Sequence, residues 1–340
     1  MVSVLKSMPQ STVETIWNLN EKELLTLLES GFFTPEPKEI RFYAPSFTYY
    51  KTKYYHSSRN IFPTISVTGT SCALNCKHCG GKILETMHPV LQPGELFELC
   101  SKLKRDGAVG CLVSGGCLPD GSVPLDGFMD AIGKIKRELG LTVFIHTGIL
   151  NVETTLALKR AGIDAALIDI IGSTETIKKT LNLNVTPKDY ADSLKALDNS
   201  GLNFVPHIIV GLNEGKLDGE LEALKMVREV KPSALVIIAF MPIRGTAMEK
   251  TPPPKPADIA KVASMARLMF PETPLILGCM RPKGTARSEA DVLALKAGVD
   301  AVAFPSEEAV KYAESKGWKT SFSSYCCAQM YLDAAWKTKK

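Results

Sequence analysis

The sequence alternates short β-branched runs with longer amphipathic stretches, and from Ile61 onward eight such pairs follow one another. A β-branched run favours a buried strand, and an apolar period of 3.6 residues favours a helix. The strand candidates are residues 64–69, 109–114, 141–147, 163–170, 203–210, 234–241, 274–279 and 299–304. The helix patterns between them are residues 95–105, 126–138, 152–160, 188–198, 217–230, 257–269 and 289–296. Eight βα pairs predict an α/β fold of the (β/α)8 TIM-barrel type, with the active site at the carboxyl ends of the strands.

The joints between the units support a barrel over a doubly wound sheet. Gly107, Gly162, Gly201 and Gly298 each stand between a helix pattern and the next apolar run, where glycine commonly ends a helix. This weak internal periodicity is typical of a repeated βα unit. A split or open barrel is the alternative to a closed one.

The segments outside the repeat are predicted to be additions to the barrel. Residues 1–60 are predicted to form a helical and aromatic extension, residues 61–317 the barrel, and residues 318–340 a C-terminal tail. Within the extension, Asn20 and Glu23 have the spacing of a helix capping box. The aromatic residues that follow, between positions 42 and 55, are predicted to pack over the barrel.

Composition excludes several classes of protein. At 340 residues, with 45% hydrophobic and 22% charged residues, the chain resembles an ordinary globular protein. Its net charge of +4 is too small to indicate nucleic-acid binding. No apolar run approaches the roughly 18 residues that a membrane-spanning helix needs. The nine cysteines lack the regular spacing of a secreted disulfide framework. We therefore expect a cytoplasmic protein that binds neither nucleic acid nor a membrane.

Three cysteines directly after the first strand candidate form a CxxxCxxC pattern: Cys72, Cys76 and Cys79. Thiolates are soft ligands that select iron-sulfur clusters or zinc. Three thiolates on one loop can hold three irons of a four-iron cube and leave the fourth iron open. A structural zinc site needs four ligands, and His78 supplies the fourth only if this short loop folds back sharply. A [4Fe-4S] cluster is therefore the favoured hypothesis, and zinc is the alternative.

A CxxxCxxC loop after the first strand resembles the signature of the radical S-adenosylmethionine (SAM) enzymes. The resemblance implies that the open iron binds the amino and carboxylate groups of SAM. It also implies that SAM is cleaved to methionine and a 5′-deoxyadenosyl radical, which abstracts hydrogen from an unactivated carbon. The family usually has an aromatic residue before the third cysteine, where this chain has His78, whose ring can still pack on adenine.

Further motifs are similar to the biotin-synthase-like group of this family. Residues 239–249 are similar to its Pro-x-x-Gly-Thr-Pro-Leu-Glu segment, and residues 206–212 to its apolar, glycine-ended adenine-binding stretch. Gly115 and Gly116 stand where the family often has Gly-Gly-Glu, a turn that contacts the SAM amino group. The SAM-binding residues that the resemblance implies are His78, Gly115, Gly116, Asp169, Leu212 and Met241.

Two polar residues near the strand ends have competing interpretations. Asp169 stands where biotin-synthase-like proteins carry a polar residue that binds ribose, but a carboxylate there could equally satisfy a neighbouring backbone group. His207 is buried by pattern and is predicted to be a core histidine with a satisfied ring. No residue is assigned as a catalytic acid or base.

A second group of cysteines stands at later strand ends and in the tail: Cys117, Cys279, Cys326 and Cys327. The first replaces the acid of Gly-Gly-Glu, and the last two are adjacent in sequence, where a disulfide would be strained. We predict that these four ligate a second, auxiliary iron-sulfur cluster. Arg281 is predicted to neutralise that cluster or to hold a substrate. Cys100 and Cys111 lie at apolar positions and are predicted to be structural.

An auxiliary cluster in the biotin-synthase-like group implies sulfur insertion, with the cluster as the sulfur source. We therefore expect one component of a two-component lipoyl synthase, which replaces C–H bonds of an octanoyl chain on a carrier-protein lysine with C–S bonds. The implied partners are SAM, the octanoylated carrier, a second radical SAM subunit and a ferredoxin- or flavodoxin-type reductant. The alternatives are a radical SAM maturase or carbon-skeleton rearrangement enzyme without sulfur transfer, and a non-catalytic iron-sulfur electron-transfer or zinc-binding protein.

Overall fold

The computed structural model describes residues 10–34, 38–46, 48–57 and 60–337, which form one parallel sheet covered by helices. The eleven strands are β1 (Glu39–Tyr43), β2 (Thr64–Ser66), β3 (His88–Pro89), β4 (Gly110–Ser114), β5 (Thr142–His146), β6 (Ala165–Ile170), β7 (Phe204–Val210), β8 (Leu235–Ala239), β9 (Leu275–Leu277), β10 (Ala301–Ala303) and β11 (Lys319–Ser323). Their order across the sheet is β11-β1-β10-β9-β8-β7-β6-β5-β4-β2-β3. The α/β barrel-type fold is therefore confirmed, in an open form whose edge strands are β11 and β3.

Helices connect most of the strands. They are α1 (Gln10–Trp17), α2 (Glu21–Glu29), α3 (Pro93–Arg105), α4 (Met129–Lys134), α5 (Val152–Ala161), α6 (Thr174–Leu181), α7 (Pro187–Ser200), α8 (Glu220–Arg228), α9 (Pro256–Met269), α10 (Thr285–Lys296), α11 (Glu307–Ser315) and α12 (Met330–Lys337). A π-helical stretch over Ile135–Leu139 continues α4. Within the described ranges, no helix is both long enough and apolar enough to cross a membrane.

Capping residues fix where these helices begin and end. The Asn20 side chain accepts a hydrogen bond from the Glu23 backbone N–H at 3.0 Å, so the predicted capping box is confirmed. Helix α5 ends at Gly162 with φ of 74°, and α7 ends at Gly201 with φ of 65°. Glycine adopts this left-handed conformation without steric cost, which explains why it occupies the predicted joints.

Every one of the eight strand candidates contains a strand, and the sheet has three more. Strand β1 lies between β10 and β11, although its residues were expected to belong to an extension over the barrel. Strand β11 lies in the predicted tail and pairs with β1 over its full length. Both terminal segments therefore contribute to the sheet. The third, β3, is only two residues long.

The terminal segments also pack against each other. The ring of Tyr55 stacks on that of Phe322 with 5.0 Å between centroids, and the hydroxyl of Tyr50 donates to the Pro305 carbonyl at 2.7 Å. The predicted packing of the aromatic stretch is confirmed for these residues, whereas Phe47 lies outside the described ranges. In the tail, the hydroxyl of Tyr331 donates to the Asp164 carbonyl, just before β6.

Candidate active site

The CxxxCxxC loop follows β2 and is held by the carboxyl end of α6. The amide of Asn182 donates to the carbonyls of Leu74 at 3.1 Å and of Asn75 at 2.9 Å. The thiol of Cys76 contacts the Leu181 carbonyl at 3.3 Å. Because α6 is packed on the sheet, these bonds fix the middle of the loop relative to the strands.

Two other segments bind the same loop. The Lys77 N–H donates to the Thr180 carbonyl at 2.8 Å, and the Lys77 carbonyl accepts from Met248 at 3.3 Å. The Ala73 N–H donates to the Cys117 carbonyl at 2.8 Å. The segment after β8, which carries the second family motif, and the turn after β4 therefore meet at the cysteine loop.

The turn after β4 fits the loop because it lacks a side chain. A Cβ added at Gly116 would lie 1.9 Å from the Ser71 carbonyl oxygen and 2.6 Å from the Cys72 Cβ. The Gly116 N–H donates to the hydroxyl of Thr68 at 2.7 Å. Close packing with the cysteine loop is thus a sufficient reason for glycine at this position.

Two of the three loop thiols, those of Cys72 and Cys79, are stabilised as thiolates. A hydrogen bond with the Cys117 thiol lowers the pKa of Cys72 to about 5. A hydrogen bond with the Cys76 thiol, together with His78, lowers the pKa of Cys79 to about 4. The pKa of Cys76 is raised, because its thiol donates to Cys79 and is buried. Since thiolates are the metal-binding form, the loop has a donor set that fits an iron-sulfur cluster.

The ring of His78 also turns toward the loop sulfurs. One of its nitrogens and the sulfurs of Cys76 and Cys79 all lie within 4.8 Å of one another. Its Nδ1 atom is buried and has no hydrogen-bond partner among the described residues. The loop therefore does fold back far enough to bring this ring to the cysteines, which the sequence spacing argued against.

The remaining candidate cysteines divide between two places. The thiol of Cys117 contacts Cys72, so it lies beside the loop. Three others form a separate group, which we call the tail cysteine group: Cys279, Cys326 and Cys327. A hydrogen bond with the Cys327 thiol lowers the pKa of Cys326. Burial, with the neighbouring Cys326, raises the pKa of Cys279 to about 11. The structure thus joins the end of β9 to the tail.

Two arginines lie next to the tail cysteine group. Arg281 is fully buried, and its guanidinium donates to Asp291 at 2.7 Å, to the Gly278 carbonyl at 2.5 Å and to the Phe304 carbonyl at 3.3 Å. Burial and the charge of Arg281 lower the pKa of Arg287 to about 10. Because Arg281 is fully bonded inside the fold, it presents no exposed nitrogen to a substrate. Its charge does act on the thiols of the tail cysteine group.

Three polar side chains meet where β5, β6 and β7 lie side by side. The Nε2 atom of His146 lies 3.5 Å from Oδ1 of Asp169, and Asp169 is in register with His207. The two imidazole rings are 5.6 Å apart. Burial opposes protonation of His146, but the charge of Asp169 favours it more strongly, so the pKa of His146 is raised. Burial lowers the pKa of His207 to about 4. Sequence reasoning missed this group, although His146 and Asp169 stand near the ends of their strand candidates.

Comparison with known proteins identifies the family of this chain. The family model described as the radical SAM superfamily matches residues 66–238. This chain belongs to the radical SAM superfamily. It is therefore a radical SAM enzyme, and the family implies a [4Fe-4S] cluster and SAM as its cofactors.

The curated relatives of this radical SAM enzyme include biotin synthases. The chain is 25% identical to biotin synthase of Neorickettsia sennetsu over 263 residues, covering 73% of this chain and 76% of the relative. It is 26% identical to biotin synthase of Prochlorococcus marinus over 250 residues, covering 71% of this chain and 73% of the relative.

Solved structures with the same fold include a synthase and a maturase. Methylornithine synthase (PylB) has a TM-score of 0.63 at 17% identity, covering 94% of this chain and 96% of that one. The [FeFe]-hydrogenase maturase HydG has a TM-score of 0.65 at 18% identity, covering 98% and 75%. At these identities, the likeness shows the fold alone.

The implied SAM-binding residues of this radical SAM enzyme have different surroundings. Leu212 is buried in the main hydrophobic cluster, so its side chain does not face an open cleft. Met241 is partly exposed directly after β8. Gly115 lies at the end of β4, with Thr68 and Val67 beside it. The contacts of these residues with SAM stay predictions.

Proposed function

We propose that this radical SAM enzyme inserts sulfur into an unactivated C–H bond, as one component of a two-component lipoyl synthase. Its substrate is an octanoyl chain attached to a lysine of a carrier protein. The observation that carries the proposal is the tail cysteine group, a second set of thiols formed by residues far apart in sequence. Cys72, Cys76 and Cys79 would hold the loop cluster, which together with SAM would supply the radical chemistry needed at a C–H bond of the octanoyl chain.

The surroundings of the tail cysteine group support a second cluster. Arg281 places one buried cation there and Arg287 a half-buried one, and Asp291 balances the first. A cysteine-bound cluster carries negative charge, which buried cations stabilise. In this proposal, Cys279, Cys326 and Cys327 hold the sulfide-donating cluster. Cys117 was predicted as a fourth ligand of this cluster, but its thiol lies beside Cys72. It is a ligand of the second cluster only if its thiol also reaches the tail cysteine group.

The proposed SAM site lies at the strand ends beside the cysteine loop. In this proposal, His78 packs on the adenine of SAM, and Gly115 and Gly116 meet its methionine end. Asp169 has a partly exposed side chain whose Oδ1 atom is buried, so its other oxygen is the one available to ribose hydroxyls. Met241 borders the same opening, and Leu212 contributes through its backbone.

Similarity to biotin synthases supports sulfur insertion over the alternatives. The fold neighbours include a maturase and methylornithine synthase, but no side-chain observation among the residues that the structure describes favours a maturase or a rearrangement. Family membership also speaks against a non-catalytic electron carrier or a zinc protein. The carrier protein, the second radical SAM subunit, a ferredoxin- or flavodoxin-type reductant and a cytoplasmic location are part of the proposal.

The test is an anaerobic reaction of the reconstituted protein with SAM, a reductant, the octanoylated carrier and the second subunit. We expect 5′-deoxyadenosine together with a carrier whose mass has increased by sulfur. A maturase or rearrangement enzyme would yield 5′-deoxyadenosine from its own substrate and leave the carrier unchanged. A protein without SAM cleavage would contradict the whole proposal.

A further inference from the structure

We propose that His146, Asp169 and His207 bind a divalent transition-metal ion, of the Zn²⁺ or Fe²⁺ type, separate from both cysteine groups. Each residue offers one ligand atom, and the three atoms all lie within 4.8 Å of one another. They come from neighbouring strands β5, β6 and β7, which are hydrogen-bonded through the middle of the sheet. Rigid strands are a suitable support for a metal site.

The spacing of the ligand atoms fits an ion better than a direct hydrogen bond. The 3.5 Å between His146 Nε2 and Asp169 Oδ1 exceeds the roughly 2.7–2.9 Å of a charged hydrogen bond. Two ligands each about 2.0–2.1 Å from a tetrahedral ion lie about 3.4 Å apart. Oδ1 of Asp169 is buried and has no hydrogen-bond partner among the described residues. A cation between the two atoms would satisfy this oxygen.

The second histidine has a hydrogen bond that fixes its tautomer. Nδ1 of His207 lies 3.1 Å from the Val205 carbonyl, which accepts a hydrogen bond only if Nδ1 carries the proton. That tautomer leaves a lone pair on Nε2, on the other side of the ring. Metal-binding histidines are commonly fixed in this way by a backbone carbonyl. The side chain is buried, with 9% of the residue exposed, so the ring is held in place by packing.

The three ligands suit a site with an open position. Two imidazoles and one carboxylate bind Zn²⁺ or Fe²⁺ and leave room for water or a substrate oxygen. The site neighbours both cysteine groups, since the charge of Asp169 acts on the Cys117 thiol and that of His146 on the Cys326 thiol. An ion there would have an open coordination position in the region where we place SAM and the substrate.

The test uses Co²⁺ as a spectroscopic probe of the protein with its iron-sulfur clusters assembled, so that the cysteines are occupied. We expect one Co²⁺ per chain with ligand-field bands and without a thiolate charge-transfer band. His207→Gln, His146→Gln and Asp169→Asn should each weaken binding by at least about tenfold. The exposed His88 lies on β3, so His88→Gln is a matched control and should leave binding unchanged.

Circular dichroism and iron content check that each variant folds and keeps its clusters. The inference is overturned if Co²⁺ binding is absent, if it is unchanged in all three variants, or if its spectrum is of the thiolate type. The outcome does not depend on turnover. If the protein binds Co²⁺ at this site but does not thiolate the carrier, only the proposed function is contradicted. If it thiolates the carrier but does not bind Co²⁺ at this site, only the metal site is contradicted.

Discussion

Single residues outside the cysteine motif hold the cysteine loop in place. Gly116 fits against Cys72 because it has no side chain, and Asn182 bonds to two loop carbonyls from a left-handed conformation with φ of 53°. The motif itself was predictable, because three cysteines within eight residues have few other uses. These supports were not predictable, because their partners are distant in sequence.

Gly116→Ala should displace the cysteine loop. The added methyl group meets a backbone oxygen, so the contact cannot be relieved by rotating a side chain. We expect the free energy of unfolding to fall by about 1–3 kcal/mol, and iron bound at the loop to decrease. Gly127→Ala, where nothing lies within 4 Å of the added atom, is the control and should change neither quantity. Equal iron content in the two variants would show that the fit at Gly116 is unimportant.

Asn182→Gly and Asn182→Ala separate the two roles of this residue. Both remove the bonds to Leu74 and Asn75, each worth about 1 kcal/mol, so both should release the loop cluster faster. Only Asn182→Ala also places a Cβ in an unfavourable left-handed conformation, which lowers the free energy of unfolding by about 1–2 kcal/mol. Denaturant unfolding should therefore give a lower free energy of unfolding for Asn182→Ala than for Asn182→Gly. Wild-type rates of cluster loss in both variants would mean that the amide does not anchor the loop.

The sequence also did not predict that the side chains of His146, Asp169 and His207 lie close together. Asp169 was predicted as a ribose ligand or a backbone partner, and His207 as a core histidine. The burial of His207 is confirmed, but the meeting of three side chains depends on strand register, which the order of residues along one chain does not reveal.

At the scale of elements, the joint of β9, α10 and β10 is built around one buried ion pair. The side chains of Arg281 and Asp291 are both fully buried, and Asp291 also accepts a hydrogen bond from the Ser306 N–H at 2.8 Å. This pair fixes the strand end that carries Cys279. The sequence marked Arg281 as a charged residue at a strand end, but not its partner on the following helix.

Asp291→Ala should leave the Arg281 charge buried and unpaired. We expect the free energy of unfolding to fall by about 3–5 kcal/mol, because the desolvated cation loses its carboxylate. The exposed Glu289 lies on the same helix, and Glu289→Ala should stay within about 0.5 kcal/mol of the wild type. Adding Arg281→Met to Asp291→Ala should recover part of the loss. Chemical denaturation measures the free energy of unfolding of all three variants. A decrease below about 1 kcal/mol for Asp291→Ala would mean that the ion pair is not needed for stability.

The eight central strands were predictable because strands buried on both faces are continuous β-branched runs. Strands β1, β3 and β11 were not. In β1, Phe42 and Tyr43 belong to an aromatic stretch that was assigned to surface packing, and β11 is built from polar residues. Strand β11 pairs with β1, and β1 also pairs with β10, which is a tertiary effect that local sequence does not show.

At the scale of the whole molecule, the fold brings two cysteine groups to one sheet from four separate segments. The loop after β2 carries the motif cysteines, and the turn after β4 adds Cys117 to them. The end of β9 and the tail form the other group. The sequence predicted two groups of thiols, but placed Cys117 in the second, because separation along the chain does not report which loops meet.

Iron content tests whether both groups hold clusters. The variant Cys72→Ala/Cys76→Ala/Cys79→Ala removes the loop cluster and should abolish formation of 5′-deoxyadenosine. It should retain about four irons per chain if the tail cysteine group holds a cube of the usual kind. Replacing the tail cysteines with alanine should instead leave 5′-deoxyadenosine formation in place. An iron-free loop variant would remove the basis for a second cluster.

The most direct test of sulfur insertion follows the sulfur itself. The protein is reconstituted with heavy-isotope-labelled sulfide, passed through a desalting column, and allowed a single turnover with SAM, reductant, the second subunit and the octanoylated carrier. The account predicts that mass spectrometry finds the heavy isotope in the carrier, and that Cys279→Ala loses this label while still cleaving SAM. A carrier that gains no sulfur, or gains only unlabelled sulfur, would contradict it.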